Sequence, residues 1–290
     1  MRMLANAIAL ACAALCTACS DDGVDPITKI TSPRVLAITA DPSALVPDGM
    51  LHLAVMTVDA DGPRSDERPV DAVRVRACAP WKFVVDPARD CVGAESVALE
   101  RDETGRFVMS ASELAAAFPS PPNAPIPSSD PWRAALAAGV SLRIPVIAEV
   151  DVDGQTLVAK REVEVVADPN ARRNPQIVEL RFDGAPSNVL QAGRRYTVTA
   201  TIERTSLDPP DEPPDEPMDG AALEEVTCYL YSPSGEIADP NIAVEDLEPV
   251  ELETSSTTYT AGAAGTTWLF VVATDETSGL SMLAQPLTIE

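Results

Sequence analysis

The stretch SPRVLAITADPSALVPDGMLHLAVMTVDA, residues 32–60, has a partial copy in NPQIVELRFDGAPSNVLQAGRRYTVTATIER, residues 174–204. Gly49 aligns with Gly193 after a two-residue insertion, and the alternating LHLAVMTVD then matches the alternating YTVTATIE. Each stretch predicts an extended entry, a strand, a turn at the glycine and a second strand. The chain therefore contains an internal repeat of two β-rich units.

The ends of the two units match as well. IPVIAEVDVDGQTLVAKREVEVV, from Ile144, parallels WLFVVATDETSGLSMLAQPLTIE, from Trp268, and each predicts a strand, a glycine-containing turn and a last strand. The units cover residues 32–168 and 174–290, with a polar linker at 169–173. A period of about 140 residues indicates tandem domains, because solenoid repeats are much shorter.

Six or more short strands with period-two alternation are predicted in each unit. In the first unit they lie near residues 34–40, 50–58, 72–78, 105–109, 142–150 and 156–166, and in the second near 176–182, 194–203, 224–231, 256–260, 267–274 and 280–289. Alternation means that one face of each strand is buried and the other is wet, as in a two-sheet sandwich. The sequence therefore predicts an all-β fold of two tandem Ig-like β-sandwich domains.

An insertion at residues 110–140 distinguishes the first unit. SASELAAAF predicts a short helix capped by Ser110 or Ser112, and PSPPNAPIPSSDP excludes helix and strand pairing. WRAALAAG predicts a second short helix that ends at Gly139. Trp132 in this insertion is the best candidate for an exposed interface anchor, and burial of its side chain is the alternative.

The start of the chain predicts export. Residues 1–18, MRMLANAIALACAALCTA, have the charge, apolar core and small-residue order of a secretory signal peptide. The apolar run is about 12 residues, whereas a membrane-spanning helix needs about 20, so cleavage is favoured over a retained anchor. The segment resembles a bacterial lipoprotein signal, which implies lipidation of Cys19; cleavage after Ala18 without lipid is the alternative. Residues 19–31 are then expected to form an acidic, flexible tether.

The charge of the chain limits its partners. The 290 residues contain 21 Lys and Arg against 45 Asp and Glu, for a net charge of −24, and removal of residues 1–18 makes it −25. Such a surface repels nucleic acid and anionic lipid headgroups, so a nucleic-acid partner is excluded.

The cysteines downstream of the signal are interpreted in two ways. Cys78 and Cys91 are 13 residues apart, and because an exported chain meets an oxidising compartment we expect them to form a disulfide. A zinc site is the weaker alternative, because no further Cys or His lies near. Cys228 is expected to point into a core, and the alternatives are an intermolecular bridge at an interface or a reactive thiol.

Motifs of known catalytic chemistry are missing from the sequence. His52 is the only histidine, and it lies in an alternating strand where a structural role is expected. The chain has no Gly-x-Ser-x-Gly elbow, histidine-rich metal motif or glycine-rich phosphate loop. A carboxylate pair cannot be located from sequence among 45 acids. We expect no enzyme activity and no cofactor, and a secreted hydrolase is the least favoured alternative.

Two acidic turns are weak candidates for calcium. VDADGP contains Asp59 and Asp61, and VDVDG contains Asp151 and Asp153. Asp-Gly is also a strong hairpin-turn signal, so the turns are expected to be ordinary connections. The acidic stretch LDPPDEPPDEPMDG, from Leu207, predicts a solvated loop, with a cation- or partner-binding loop as the alternative.

PRVLAITADP, VPDG and ACAPW, together with the acidic tether, resemble uncharacterised envelope lipoproteins of GC-rich Gram-negative bacteria. The resemblance implies a cell-envelope location and Ig-like domains, and it implies no activity. The expected function is a non-catalytic lipoprotein, anchored to a membrane on its periplasmic side or at the cell surface, that presents a surface to a protein or glycan. Alternatives are an accessory subunit of an envelope complex, a calcium-dependent adhesion module and a secreted protein.

Overall fold

The computed structural model of the chain describes residues 28–65, 67–80, 84–87, 89–91, 95–118, 131–140, 142–168, 172–207, 225–245, 251–275 and 279–290. The predicted signal peptide and Cys19 lie outside these residues. So do most of the proline-rich part of the insertion and the acidic stretch that follows Leu207.

The first unit folds into two facing sheets. Its elements are β1 (Arg34–Asp41), β2 (Met50–Asp59), β3 (Gly62–Pro63), β4 (Ala72–Cys78), β5 (Ser96–Ala98), β6 (Phe107–Ser110), α1 (Ala111–Ala117), α2 (Pro131–Ala137), β7 (Leu142–Val152) and β8 (Gln155–Val165). One sheet has the order β1-β2-β3, with β6 also paired to β2, and the other has the order β5-β4-β7-β8. Each sheet contributes one face to the core between them.

Alternation along the strands builds this core. In β2, Leu51 and Leu53 are fully buried, whereas Met50 is 60% exposed. Leu51 pairs with Met109 of β6, and Ile144 of β7 joins the same cluster from the opposite sheet. Burial of each such side chain contributes about 1.5–3 kcal/mol.

The helices of the insertion pack onto the same core. Ser110 caps α1, and its hydroxyl accepts a hydrogen bond from the backbone N–H of Glu113 at 3.5 Å. Leu114 and Phe118 from α1, and Trp132 from α2, are all at most 3% exposed and belong to the core cluster. The described part of the insertion therefore completes the first sandwich.

The second unit is a sandwich whose two sheets join at one corner. Its elements are β9 (Ile177–Phe182), β10 (Ala185–Pro186), β11 (Val189–Leu190), β12 (Arg195–Glu203), a 3₁₀ turn (Arg204–Ser206), β13 (Val226–Tyr231), β14 (Glu236–Ile237), β15 (Asn241–Glu245), β16 (Glu251–Thr254), β17 (Thr257–Thr260), β18 (Gly265–Asp275) and β19 (Leu280–Ile289). The strand order is β10-β9-β12-β16-β15-β13-β18-β19-β11, with β17 paired to β12 and β14. β15 pairs with β13 and β16 and so connects the two layers.

The two units route the chain in the same way. β1 pairs antiparallel with β2, and β9 pairs antiparallel with β12. The chain then crosses to the other sheet and meets the last strand in parallel, through Leu45 and Val165 in the first unit and through β11 and β19 in the second. The last two strands form long hairpins, β7–β8 and β18–β19. The chain is therefore two tandem immunoglobulin-like β-sandwiches, as the repeat predicts.

Apolar side chains join the two sandwiches in a contact that we call the seam. Val58 of β2, Phe270 of β18 and Ile30 are fully buried in one cluster, and Trp268 packs against it. Gly62 has φ +114°, and a Cβ at this position would overlap the indole of Trp268. Only glycine allows the backbone to approach the indole this closely.

The segment before β1 also belongs to the folded body. The N–H of Ile30 donates to the carbonyl of Ser232 at 3.0 Å, and the N–H of Ser232 donates to the carbonyl of Thr28 at 2.9 Å. Residues 28–30 therefore pair with the second sandwich before the chain enters the first. The tether expected to extend to residue 31 consequently ends earlier, because Ile30 is a buried part of the seam.

Candidate functional site

A cleft of about 420 Å³ lies between the two sandwiches. Its walls are the edge of β1, the edge of β8 and the end of the β18–β19 hairpin. The lining includes the apolar Val35, Leu36 and Leu280 and the cationic Arg143 and Arg161. The cleft therefore combines apolar side chains, charges and two strand edges.

β8 contributes residues 159–162 and Glu164 to the lining of this cleft. β8 pairs with β7 in an unbroken register from Leu142–Val165 to Val152–Gln155. On its other side, the carbonyl of Glu164 accepts from the N–H of Leu45 at 2.9 Å, and no other strand of the described chain pairs with β8. Since N–H and C=O directions alternate along a strand, the backbone groups of Val158 and Glu162 point the same way as those of Glu164, away from β7.

Arg161 is the buried cation of the cleft. It is 8% exposed, and its guanidinium donates to the carbonyl of Ile38 in β1 at 2.5 Å. Burial lowers the pKa of Arg161 to about 10, while the charge of Asp275 acts in the opposite direction. The side chain therefore stays protonated at neutral pH and links β8, β1 and the second sandwich.

The acids that line the cleft already have cationic or backbone partners. Glu162 forms an ion pair with Lys160 at 2.8 Å, and Glu164 forms one with Arg172 at 2.8 Å. Asp275 accepts from the N–H of Gly279 at 2.6 Å. The cleft thus lacks the strong negative charge that dominates the chain as a whole.

Arg143 is the exposed cation of the cleft. It lies opposite Glu164 in the β7–β8 ladder, but the carboxylate of Glu164 is bound by Arg172. Among the residues that the structure describes, Arg143 has no acidic side chain within ion-pair distance, so its charge is available to a ligand.

Asn174 fixes the walls of the cleft relative to one another. Its side-chain nitrogen donates to the carbonyl of Ala40 at 2.7 Å, and its side-chain oxygen accepts from the N–H of Leu280 at 2.9 Å. This one side chain, at the start of the second unit, therefore holds the end of β1 next to the start of β19.

The structure brings two calcium candidates together, but around an arginine. Arg64 Nε lies 2.5 Å from Asp59 and its terminal nitrogen lies 2.6 Å from Asp153, while Arg68 also binds Asp59. Burial alone would raise the pKa of Asp59, but the hydrogen bonds from Arg68 and the backbone of Asp61, with the charges of Arg68 and Arg64, together outweigh it and lower the pKa. Asp61 is 86% exposed and lies 3.8 Å from Arg68. Guanidinium groups therefore hold the position that a cation would need.

Asp151 serves the β7–β8 hairpin. Two nitrogens of Arg74 donate to its carboxylate at 2.7 and 3.2 Å, and Thr156 donates at 2.6 Å. The Arg74 hydrogen bond, followed by that of Thr156, lowers the pKa of Asp151. Within the described ranges, no group of three or more His, Cys, Asp or Glu could hold a metal, so these turns give the calcium alternative no support there.

The predicted disulfide between Cys78 and Cys91 is present, with the two Cα atoms 5.6 Å apart. The described part of its loop lies on the outer face of the β4–β7–β8 sheet, where Val84 and Ile147 pack with the disulfide. Lys160 donates to the carbonyl of Val84 at 3.1 Å. The disulfide therefore fixes a loop next to the edge of β8.

The structure shows whether Trp132 and Cys228 are buried or exposed. Trp132 is 2% exposed, because α2 directs it into the core of the first sandwich, so the exposed-anchor interpretation is wrong. Cys228 is fully buried in the second core, and burial raises the pKa of its thiol to about 12. An intermolecular bridge through Cys228 is therefore also wrong, whereas the expected core position is present.

His52 has a structural partner. Its Nδ1 lies 2.8 Å from Asp102, which also accepts hydrogen bonds from Thr104 and from the backbone of Arg106. The Thr104 hydrogen bond is the largest of the causes that together lower the pKa of Asp102 to about 2. In the part of the chain that is described, no hydroxyl or thiol group is hydrogen-bonded to His52. The pair fastens the turn before β6 to β2.

No protein-family model and no curated protein matches the chain. Among solved structures it aligns with the N-terminal Ig1-2 module of the Drosophila receptor protein tyrosine phosphatase DLAR, at 10% identity over 89% of this chain and 98% of that chain, with a TM-score of 0.24. It aligns with latent PorU from Porphyromonas gingivalis at 9% identity over 93% of this chain and 25% of that chain, with a TM-score of 0.27. Fibronectin(III)-like modules of Clostridium thermocellum CbhA align at 12% identity over 89% of this chain and 94% of that chain, with a TM-score of 0.23. The strand order and pairing of each unit define the fold.

None of the helices in the described residues is long and apolar enough to cross a membrane.

Proposed function

We propose that the chain is a non-catalytic cell-envelope lipoprotein that binds a protein or glycan with its two Ig-like domains. The proposed binding function is supported by the interdomain cleft, where the edge of β8, apolar side chains and Arg143 lie together. Peptides recognise such edges through backbone hydrogen bonds, and pockets beside the edge give specificity.

Lipid on Cys19 anchors this body to the membrane. The signal-like segment ends at Cys19, and the first described residue is Thr28, at the seam. Nine residues at full extension span at most about 30 Å, so the anchor holds the seam close to the lipid surface. The net charge of −24 repels anionic headgroups and nucleic acid, which leaves proteins and glycans as partners.

An accessory subunit of an envelope complex is the second candidate, and the free edge of β8 favours it. In that role the partner contributes a strand to β8 and the two proteins form a stable assembly. Cys228 has no part in such a contact because it is buried.

Chemical cross-linking in the producing cells tests the proposal. The full-length protein carries a tag, and a Cys19→Ala variant runs beside it through membrane fractionation and mass spectrometry. The proposal predicts a lipid-sized mass increase on the N-terminal peptide, membrane association that Cys19→Ala loses, and one reproducible partner. Unchanged fractionation of the variant contradicts the lipid anchor, and the lack of any partner contradicts the binding role.

A further inference from the structure

We infer that the interdomain cleft takes up an extended peptide segment, which adds a strand to the edge of β8 and places an acidic side chain beside Arg143. This inference rests on the proposed binding function and names the class of partner for it.

Backbone geometry defines the first requirement on the ligand. Leu45 already pairs with β8 at Glu164 and Val166, so the next positions of that edge present their N–H and C=O groups in the same direction. These positions are Glu162 and Lys160 in the cleft lining and Val158 one step beyond it. The register with β7 has no bulge that would turn these groups away. A segment in the β conformation matches this spacing, whereas a helix keeps its own backbone groups bonded internally.

The walls of the cleft exclude a second folded copy. One added strand lies about 4.8 Å from its neighbour, whereas a folded sandwich is two sheets packed about 10 Å apart. Thr274, Asp275 and Leu280 of the second domain line the same cleft as β8 and limit the space beside its edge. A single extended chain is the occupant that fits between them.

Side chains of the cleft define the second requirement. Val35, Leu36 and Leu280 offer apolar contact to alternate side chains of the segment. Glu162 and Glu164 are already paired with Lys160 and Arg172, so an added carboxylate meets Arg143 without a competing acid on that group. An extended, largely apolar segment with one Asp or Glu satisfies both requirements.

Val158→Pro tests the contribution of backbone hydrogen bonding at the edge of β8. The N–H of this residue points away from β7, so proline removes the outward donor and leaves the β7 ladder intact. Val158→Thr is the matched control, because it keeps the N–H and the branched side chain. Arg143→Gln tests the charge, and Arg195→Gln, at the exposed first residue of β12, is its control.

A phage-displayed library of random twelve-residue peptides, panned on the full-length protein in detergent, supplies the probe. We expect the enriched peptides to carry an Asp or Glu, to lack a central proline, and to bind Val158→Pro at least tenfold more weakly than Val158→Thr. Arg143→Gln weakens binding several-fold, whereas Arg195→Gln does not. Circular dichroism melts confirm that each variant is folded.

Equal binding of the selected peptides to Val158→Pro and Val158→Thr overturns the inference, and so does a library that yields no binders. If cross-linking in cells still captures a partner in either case, the binding function stands and the cleft is not its site. If cells yield no partner either, the proposed function fails with it.

Discussion

The two long hairpins, β7–β8 and β18–β19, occupy the same place in their sandwiches but have different surroundings. The outer face of β18 carries Trp268 and Phe270, and the first sandwich covers it. The outer face of β7 carries Glu149 and Asp151, which bind arginines in water. One hairpin supports the neighbouring domain, and the other leaves the edge of its last strand open to the cleft.

Core positions show which faces of the two hairpins correspond. Ile144 of β7 points into the first core and Leu269 of β18 into the second, so Arg143 and Trp268 lie on the outer faces of their hairpins. The sequence match that starts at Ile144 and Trp268 therefore pairs an inward-facing residue with an outward-facing one. The outer face of the hairpin holds an apolar seam residue in one domain and the exposed cation of the cleft in the other.

Of the substitutions that test this difference between the hairpins, Phe270→Ala is expected to lower the free energy of unfolding most. Phe270→Ala leaves a cavity in the seam, and we expect the free energy of unfolding to fall by about 3–5 kcal/mol. Val158→Ala, on the open hairpin at 38% exposure, changes it by less than about 0.5 kcal/mol. Urea unfolding followed by tryptophan fluorescence measures both, and equal effects would contradict the difference between the hairpins.

Loss of the disulfide, which packs on the outer face of the β7–β8 hairpin, is expected to have the next largest effect on stability. Combined Cys78→Ser and Cys91→Ser substitution lowers the free energy of unfolding by roughly 3 kcal/mol in the chain-entropy model. Iodoacetamide labelling of Cys228, read by mass spectrometry, is the control: burial raises its pKa to about 12, so it reacts only after unfolding. Rapid labelling of Cys228 in the native protein would show that the second core is not packed as described.

Ile30 tests whether the N-terminal segment is part of the seam. Ile30→Ala removes a fully buried side chain, and we expect a loss near the low end of the range for such changes, about 2 kcal/mol. Met50→Ala, at 60% exposure, is the control. Hydrogen exchange at the N–H of Ser232 reports the local contact and should accelerate in Ile30→Ala alone. Unchanged exchange would place residues 28–30 outside the seam.

The smallest effect concerns acid stability at Asp102. Its pKa is lowered from 3.8 to about 2, so the stability it contributes is present above pH 4 and is lost as the pH falls through 2. In Asp102→Asn we expect the loss of stability between pH 4 and 2 to be smaller than in the parent. Thermal melts of both proteins between pH 4 and 2 measure this loss of stability. Identical pH profiles would show that Asp102 does not contribute to the pH dependence of stability.

Local patterns predict the long strands and the core, because a strand with one wet face shows its period directly. The 72–78 strand and the buried Cys228 follow from such patterns, and the disulfide follows from the 13-residue spacing of its cysteines in a chain expected to be exported. The two-residue strands β3, β10, β11 and β14 do not, since two residues show no period.

The sequence contains one pattern that indicates the seam. The run WLFVVA in β18 is apolar on both faces, which is typical of a strand covered on both sides. No sequence pattern indicates the cleft, because β1, the β7–β8 hairpin and the β18–β19 hairpin that line it are far apart in sequence. The acidic turns show a further limit: sequence reveals their carboxylates, but only the fold brings Arg64 between Asp59 and Asp153.

We propose that the protein meets its partner at the open edge of β8. A photo-cross-linking amino acid at Val158, compared in producing cells with one at Val178 on β9 of the second domain, tests this most directly, since the two side chains are 38% and 47% exposed. The account predicts one partner cross-linked from position 158, through a single extended peptide of that partner, and none from position 178. Cross-linking that is equal at both positions, or stronger at 178, would contradict it.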